Sequence, residues 1–431
     1  VSGSLVVGKM AKFGILILLT IVVLTNGEDD GSSVPSMQGL KISCDTEPKF
    51  NFIIQHHGKA GFDFLRLSRD RSVPIEVLVA QDKLLSFKFN LMSRGIQYEI
   101  FISDVGSVIE EELALQRGAS AMYQNGSLTL KAFPRYNEIM NYLYYLEKNH
   151  SDVAEVLNLG KSYENRSIIA LKLSSGESNK PALVIDAGIH AREWIAPTTA
   201  LYTIKQLAEN ASNRYIFENI DIYIIPSLNP DGYEYTHKSS ATRMWRKTRS
   251  FNSDSDCMGT DPNRNFDYQW NTVGASSDPC SEIYAGSAPF SEPETAALRD
   301  FILARKGQIK AYVTLHSYGN YFLHPWGFTS DLPENEPTLR CVAERAVDEL
   351  TQVRGTAYEI GSSTNVLYAA AGGSDDWAMA IGKAELSYTI ELPGGRYGFA
   401  PPPSEIIPVG QETFKAIQVI AQYIEGGICN S

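Results

Sequence analysis

The sequence predicts an α/β fold with a mixed, largely parallel central sheet flanked by helices, preceded by a small α+β unit. After residue 118, short and nearly continuous apolar runs recur, as expected for strands buried on both faces; they are "IIALKLS", "PALVIDAG", "IDIYIIPSL", "KAYVTLH" and "LSYTIEL". Helical patterns separate these runs, and such alternation is typical of a sheet covered on both sides. Residues 28–117 instead mix strand-like runs, "IEVLVA" and "QYEIFIS", with helical ones.

The helices predicted after residue 118 are long and amphipathic. They cover "YNEIMNYLYYLEKNH", "PTTALYTIKQLAENA", "EPETAALRDFILARK" and "TLRCVAERAVDELTQV", and a last helix runs from about Gln411 to Glu425. No internal repeat interrupts this order. We therefore expect one large domain and one small domain.

Composition narrows the possible functions. The chain has 431 residues, of which 43% are hydrophobic and 20% charged, an ordinary globular composition. The net charge of −12 argues against nucleic-acid binding, because no basic surplus is present to meet phosphates. No stretch after the N-terminus is apolar enough to span a bilayer. We expect a monomer that binds neither nucleic acid nor membrane.

The N-terminus predicts export. Residues 1–9 precede Met10, where "MAKFGILILLTIVVLTNG" begins with the features of a secretory signal. Its apolar core is too short to cross a membrane comfortably, although a membrane anchor is the alternative interpretation. We predict signal cleavage near Gly27 and an extracellular location. Residues 1–27 then comprise upstream residues and the signal peptide.

A second boundary is predicted near residue 117. The acidic run "EEELALQR" ends in Arg117 and is followed by Gly118. In an exported protein this pattern indicates a joint that a protease cleaves; a plain interdomain linker is the alternative. The predicted domains are residues 28–117 and residues 118–431.

Five cysteines are too few for a disulfide framework in a chain of this length. A bridge between Cys257 and Cys280 would contribute about 3 kcal/mol by restricting the unfolded chain. The sequence leaves open whether Cys341 pairs with Cys429, and Cys44 is the odd one. Four N-x-S/T sequons are consistent with a secretory route; they begin at Asn125, Asn149, Asn165 and Asn210.

Polar side chains follow three of the predicted buried strands. His190 follows "PALVIDAG" and is itself followed by Glu193; "KAYVTLH" ends in His316, and "LSYTIEL" ends near Glu391. The carboxyl ends of parallel strands meet at one sheet edge, where ligands bind. Two imidazoles and one carboxylate are the ligand set of a catalytic zinc. For His190 and Glu193 taken alone, a buried core histidine beside a surface glutamate is the alternative.

A bound zinc would lower the pKa of its water to about 7 and polarise a carbonyl group. Glu391 would then be the base that takes a proton from the water.

Two further segments carry candidate binding groups. In "RMWRKTR" and the following "DPNRNFD", Arg264 has the fork that binds a carboxylate, Asn263 has an amide donor, and Arg246 is a candidate donor to an oxyanion. In "LYAAAGGSDDWA", Tyr368 precedes a Gly-Gly pair and is a candidate to swing over substrate. The alternatives are a solvated basic loop, a core tyrosine, and an aspartate such as Asp375 that caps a short helix.

Together these residues resemble the zinc metallocarboxypeptidases of the pancreatic carboxypeptidase A/B type. "HAREW", "RMWRKTR", "NRNFD", "LHSYGN", "GGSDDW" and "IELPGGRYGF" occur in the family's order over nearly the whole chain. The part before Gly118 resembles the family's inhibitory propeptide, a ferredoxin-like unit of antiparallel strands and two helices that a trypsin-like protease removes. The resemblance also implies a Cys257–Cys280 disulfide and one Zn²⁺ per chain.

The resemblance implies a role for each candidate residue. His190, Glu193 and His316 would bind the zinc, and Glu391 would be the general base and proton shuttle. Arg246 would polarise the scissile carbonyl, and Asn263, Arg264 and Tyr368 would bind the substrate's terminal carboxylate. Arg192 and Tyr318 would make secondary contacts with the substrate.

The resemblance places Asp375 at the base of the pocket for the substrate's last side chain. The B-type has an aspartate there and the A-type an apolar residue, and Ser363 on the wall is small and polar. A buried aspartate would pair with lysine or arginine. We therefore predict an exopeptidase that releases C-terminal Lys or Arg from peptides and proteins. Ala370 and Leu323 fit either type, so an A-type enzyme is the alternative.

A second alternative is an inactive binding protein on the same scaffold. Loss of a metal ligand or of Glu391 would indicate it, and none is lost. The departures from the family pattern are small: one extra residue between Tyr368 and Glu391, and Pro-Gly-Gly after Leu392.

Overall fold

The computed structural model describes residues 37–120, 128–177, 179–394 and 398–429. The predicted signal peptide, its cleavage point near Gly27 and the sequon at Asn125 lie outside the described residues. Among the described helices, none combines the length and apolar character needed to cross a membrane.

Residues 37–120, hereafter the N-terminal region, form a four-stranded antiparallel sheet with three helices. The strands are β1 (Met37–Ser43), β2 (Phe62–Arg66), β3 (Ile75–Ala80) and β4 (Gln97–Ile102), in the order β2-β3-β1-β4. The helices are α1 (Glu47–Ile54), α2 (Gln81–Ser93) and α3 (Val105–Ser120). The predicted runs "IEVLVA" and "QYEIFIS" supply β3 and β4. An apolar core that includes Leu40, Val77 and Phe87 lies within this region, so the α+β prediction is confirmed.

The sequence predicts a boundary after Arg117, but helix α3 continues through Gly118 to Ser120. A glycine inside a helix costs about 1 kcal/mol relative to alanine. Tertiary contacts offset this cost: the backbone N–H of Phe133 donates to Gln116 Oε1 at 3.0 Å. Arg117 is therefore an exposed helical residue.

Residues 128–429, hereafter the C-terminal region, contain an eight-stranded sheet in the order β11-β10-β12-β9-β7-β8-β6-β5. The strands are β5 (Ala154–Lys161), β6 (Ser167–Leu173), β7 (Ala182–Ala187), β8 (Asp221–Ile225), β9 (Ile309–Ser317), β10 (Tyr321–His324), β11 (Glu359–Ser362) and β12 (Leu386–Leu392). The central strands β12, β9, β7 and β8 are parallel. Strand β10 runs antiparallel to β12 but parallel to β11, and β6 runs antiparallel to both of its neighbours. The mixed, largely parallel sheet is confirmed.

The helices of the C-terminal region cover this sheet. They are α4 (Tyr136–Asn149), α5 (Ile195–Glu209), α6 (Pro230–Thr236), α7 (Pro293–Leu303), α8 (Glu336–Arg354), α9 (Ser363–Val366), α10 (Ser374–Ala380) and α11 (Ile406–Ile424). Two apolar clusters on opposite sides of the sheet strands bury the alternate side chains Val184 and Ile185 of β7. Strands buried on both faces explain the nearly continuous apolar runs in the sequence.

The central strands carry the polar candidates to one sheet edge. Glu391 and His316 are register partners on the parallel strands β12 and β9. Strand β7 is the next neighbour, and Gly188, with φ of 69°, turns the chain after it so that His190 reaches the same edge.

Two disulfides connect parts of the C-terminal region. Cys257 pairs with Cys280, and Cys341 pairs with Cys429, which answers the question that the sequence left open. Cys44 in the N-terminal region is buried and unpaired.

Candidate active site

Two histidines and one glutamate converge at the carboxyl edge of the sheet. His190 Nδ1 lies 2.8 Å from Glu193 Oε1, and His316 Nδ1 lies 3.1 Å from Glu193 Oε2. The three potential ligand atoms lie within 4.8 Å of one another, and all three side chains are buried. Strand β9 holds His316, and the turn between β7 and α5 holds His190 and Glu193. The sequence placed these residues together, and the structure does the same.

The contact between His190 and Asp261 also supports zinc binding by His190, Glu193 and His316. Asp261 Oδ1 lies 3.1 Å from His190 Nε2, so that nitrogen donates to the carboxylate and the other, Nδ1, is left as a ligand atom. A carboxylate behind a ligand histidine fixes its ring and tautomer in zinc sites. Burial opposes the charge on Asp261, but Arg246 and His190 hold its pKa well below the usual value. The sequence analysis missed Asp261, although it is the first residue of the quoted "DPNRNFD".

Glu391 faces the cluster from strand β12. Its Oε2 atom is buried and has no hydrogen-bond partner among the described residues. Burial raises the pKa of Glu391 to about 7; the Glu193 carboxylate adds to the shift, whereas His316 and Arg246 oppose it. A carboxyl group with a pKa near neutrality is suited to accept and return a proton.

The candidate binding arginines are held in fixed orientations. Arg246 donates from Nη2 to Asp261 Oδ2 at 2.8 Å. Arg264, in a 3₁₀ turn at Pro262–Arg264, donates from Nε to the Gly274 carbonyl at 2.9 Å and from Nη2 to the Tyr368 hydroxyl at 3.3 Å. Preorganised guanidinium groups bind a carboxylate with little loss of side-chain entropy.

Asp375 lies at the start of α10 and is 6% exposed. It does not cap that helix: the N-cap is Gly373, and the Asp375 carboxylate instead accepts from Thr389 Oγ1 at 3.1 Å. The neighbouring Asp376 accepts from the Gly327 backbone N–H at 2.8 Å. The two aspartates therefore have different surroundings.

One cleft contains every predicted site residue. Its lining includes His190, Arg192, Glu193, Arg246, Asn263, Arg264, His316, Tyr318, Tyr368, Asp375 and Glu391. Asn263 also fixes the wall, because its Oδ1 accepts from the Ser374 N–H at 2.9 Å. The three pocket residues that the specificity prediction used, Leu323, Ser363 and Ala370, line the same cleft.

The N-terminal region covers this cleft and bonds to its rim. Asp63 of β2 forms a bidentate ion pair with Arg192, in which Arg192 Nη2 donates to Asp63 Oδ1 at 2.9 Å. The Tyr318 hydroxyl donates to Glu76 at 2.9 Å. Sequence analysis had no signal for either pairing, because 129 and 242 residues separate the partners.

A third contact lies deeper. Glu112 of α3 receives two hydrogen bonds from Arg243, at 2.6 and 2.8 Å, and both side chains are buried. The same guanidinium packs 3.7 Å from the centre of the ring of Trp194, the residue after Glu193.

Comparisons with known proteins agree with this geometry. The family profile described as "Zinc carboxypeptidase" matches residues 139–416, and that described as "Carboxypeptidase activation peptide" matches residues 40–112. The chain is 50% identical over 293 residues to carboxypeptidase B of Astacus astacus, covering 67% of this chain and 96% of the relative. It is 36% identical over 414 residues to carboxypeptidase A1 of Sus scrofa, covering 94% and 98%.

A solved structure also resembles the whole described fold. Carboxypeptidase A from Helicoverpa armigera superposes with a TM-score of 0.86 at 31% identity, covering 91% of this chain and 98% of that one.

Proposed function

Because this chain belongs to the zinc carboxypeptidase family and carries that family's activation-peptide region, we propose that it is the zymogen of a secreted enzyme that releases C-terminal lysine or arginine. Residues 1–27 are then upstream and signal residues, 28–117 the propeptide and 118–431 the catalytic domain. A trypsin-like protease cuts after Arg117, which is exposed.

One observation supports the basic specificity above others: the carboxylate of Asp375 is nearly buried in the wall of the cleft that contains the metal ligands. A buried carboxylate is favourable only with a partner, and a lysine or arginine side chain supplies one. An apolar side chain would leave it unpaired, which supports strong discrimination. Ser363 leaves room on the wall.

Catalysis divides among the other residues. His190, Glu193 and His316 hold the zinc, which when bound acts as a Lewis acid on the carbonyl and lowers the pKa of water to about 7. Glu391 accepts a proton from the attacking water and returns it to the leaving amine nitrogen. Arg246 stabilises the developing oxyanion, a contribution typically worth about 10²–10³ in rate.

The enzyme acts as an exopeptidase because its cleft binds the terminal carboxylate of the substrate. Arg264 and Asn263 bind this carboxylate, and Tyr368, whose hydroxyl lies next to the Arg264 guanidinium, closes over it. Arg192 and Tyr318 contact residues further from the C-terminus once the N-terminal region has left.

The test compares peptides that differ only in their last residue: Arg, Lys, Phe or Leu. Each is incubated with the chain before and after trypsin treatment, with and without a chelator. We expect chelator-sensitive release of Arg and Lys after cleavage, with kcat/KM at least about 10²-fold above that for Phe. Preference for Phe or Leu would indicate an A-type enzyme, and absence of hydrolysis would indicate an inactive binding protein.

Asp375→Asn isolates the specificity determinant. It removes the charge and keeps the shape, so kcat/KM for Arg and Lys peptides should fall by about 10²-fold while that for Phe changes little. Asp331→Asn, at an exposed position outside the cleft, is the matched control. Unchanged selectivity in Asp375→Asn would contradict the assignment.

A further inference from the structure

A histidine of the N-terminal region packs against the candidate substrate-binding tyrosine. His57, in the turn after α1, is half-buried, and its ring centre lies 5.1 Å from that of Tyr368 and 5.3 Å from that of Phe64 on β2. In the same turn, the backbone of Gly58 lies against Ile283 of the C-terminal region. The turn therefore occupies the contact between the two regions at the edge of the cleft.

Charged groups of both regions lie near His57. Its own region contributes Asp63, and the C-terminal region contributes Arg192, Arg246, Arg264, Asp261 and Glu282. Two of the acids already have cationic partners: Asp63 pairs with Arg192, and Asp261 with Arg246. A charged imidazole would add a further cation beside Arg246 and Arg264.

We propose that His57 is a pH-sensitive latch: the neutral ring holds the N-terminal region closed over Tyr368, and protonation weakens that closure. The proposal rests on the assignment of the N-terminal region as an inhibitory propeptide. It adds a second route to opening, by acid, that requires no peptide-bond cleavage.

The direction follows from proton linkage. Burial, followed by the charges of Arg264 and Arg246, lowers the pKa of His57 from 6.5 to about 4. The closed state therefore favours the neutral ring. The contribution of His57 to closure is complete above about pH 6.5 and decreases as the pH falls from there through about 4. Two-state linkage with these values gives a loss of about thirtyfold in the closing equilibrium at pH 5.

The adjacent histidine supplies a matched control. His56 points the other way, into the core of the N-terminal region, where its ring lies 5.2, 4.8 and 5.1 Å from Phe52, Phe62 and Phe87. Its Nδ1 lies 3.0 Å from the Phe52 carbonyl. Replacing His56 changes a titratable group in the same turn without touching the contact with Tyr368.

The experiment measures opening without cleavage. The zinc-loaded full chain carries Arg117→Gln to prevent processing, and its integrity is checked by mass spectrometry. Its kcat/KM for a hexapeptide ending in the residue that the cleaved enzyme prefers is divided by that of the trypsin-cleaved wild-type chain, at pH 8, 6.5, 5.5 and 5. The ratio cancels the pH dependence of catalysis itself and reports on closure alone.

We expect the ratio to rise about thirtyfold from pH 8 to pH 5, with the same rise in His56→Phe. In His57→Phe, whose ring keeps the packing on Tyr368, and in His57→Gln, the ratio should vary less than about threefold. A flat ratio in the chain with His57 intact, or an equal rise in both His57 variants, overturns the latch. An inactive cleaved chain would instead refute the proposed function, so the two failures are distinguishable.

Discussion

The two sides of the cleft are bonded differently. On one side, which we call the rim, lie Arg192 and Tyr318, and each is bonded to a carboxylate of the N-terminal region. On the other side, which we call the terminal pocket, Asn263, Arg264 and Asp375 have their recorded hydrogen bonds within the C-terminal region. The N-terminal region thus engages the rim through hydrogen bonds and packs His57 on Tyr368, while Asn263, Arg264 and Asp375 keep a hydrogen-bond network of their own.

The difference bears on how the proposed propeptide would inhibit. His190, Glu193 and His316 converge while the N-terminal region is in place, and Glu391 lines the same cleft. If the N-terminal region is the inhibitory propeptide that we propose, its contacts would block the approach of a peptide along the rim and leave the geometry of the centre unchanged.

The largest expected effect comes from the centre that both sides share. Glu391→Gln keeps the shape of the side chain but removes its ability to take a proton, so kcat of the cleaved chain should fall by at least about 10³-fold. Zinc content, measured by atomic emission, should remain one per chain, because His190, Glu193 and His316 are intact. Retained turnover would refute the base assignment.

The sequence predicted that His190, His316 and Glu391 lie together because short apolar runs are enough to show where each buried strand ends. Continuous apolar runs indicated β7, β9 and β12, and the parallel arrangement then required His190, His316 and Glu391 to share one edge. Strands β10 and β11, at one end of the sheet, were not predicted, because each has only four residues and lacks a distinctive pattern.

Contacts between distant segments left no signal in the sequence. The pairing of Asp63 with Arg192 depends on how two regions that are distant in the sequence meet, and local periodicity carries no information about that. The same reason explains why α3 passes Gly118: the stabilising contact comes from Phe133, which lies outside the helix. Asp261 was missed because aspartate before Pro262 is equally typical of a turn.

The rim contact predicts an intermediate effect that is confined to the uncleaved chain. Asp63→Asn removes the charge that holds Arg192, so hydrolysis of a hexapeptide by the uncleaved chain should increase by at least about tenfold, because the largely buried Arg192 loses its charged partner. The cleaved enzyme should be unchanged. Asp45→Asn is the control, because Asp45 pairs with Lys49 inside the N-terminal region. Equal activation by both variants would indicate general loosening of that region.

Glu294 is a buried acid outside both the rim and the terminal pocket. Replacing it should change activity least, and the expected effect is on the stability of the fold. Glu294, in the first turn of α7, is fully buried, and its Oε1 accepts from the Tyr163 N–H at 3.1 Å. Its Oε2 has no hydrogen-bond partner among the described residues. Burial raises its pKa to about 8, and the nearby Glu292 and Asp231 charges add to the shift. The folded chain therefore favours the neutral acid.

For an acid whose folded pKa is raised, stability is complete below the unfolded pKa of about 4.5 and decreases as the pH rises through about 8. Glu294→Gln keeps the acceptor for Tyr163 and removes the ionisation. At pH 8 it should raise the free energy of unfolding by about 1–3 kcal/mol, seen as a rise of a few degrees in Tm, whereas at pH 4.5 the gain should largely vanish. Exposed Glu334→Gln should leave Tm unchanged at both values. A gain for Glu294→Gln that is equal at the two pH values would show that packing, and not ionisation, is responsible.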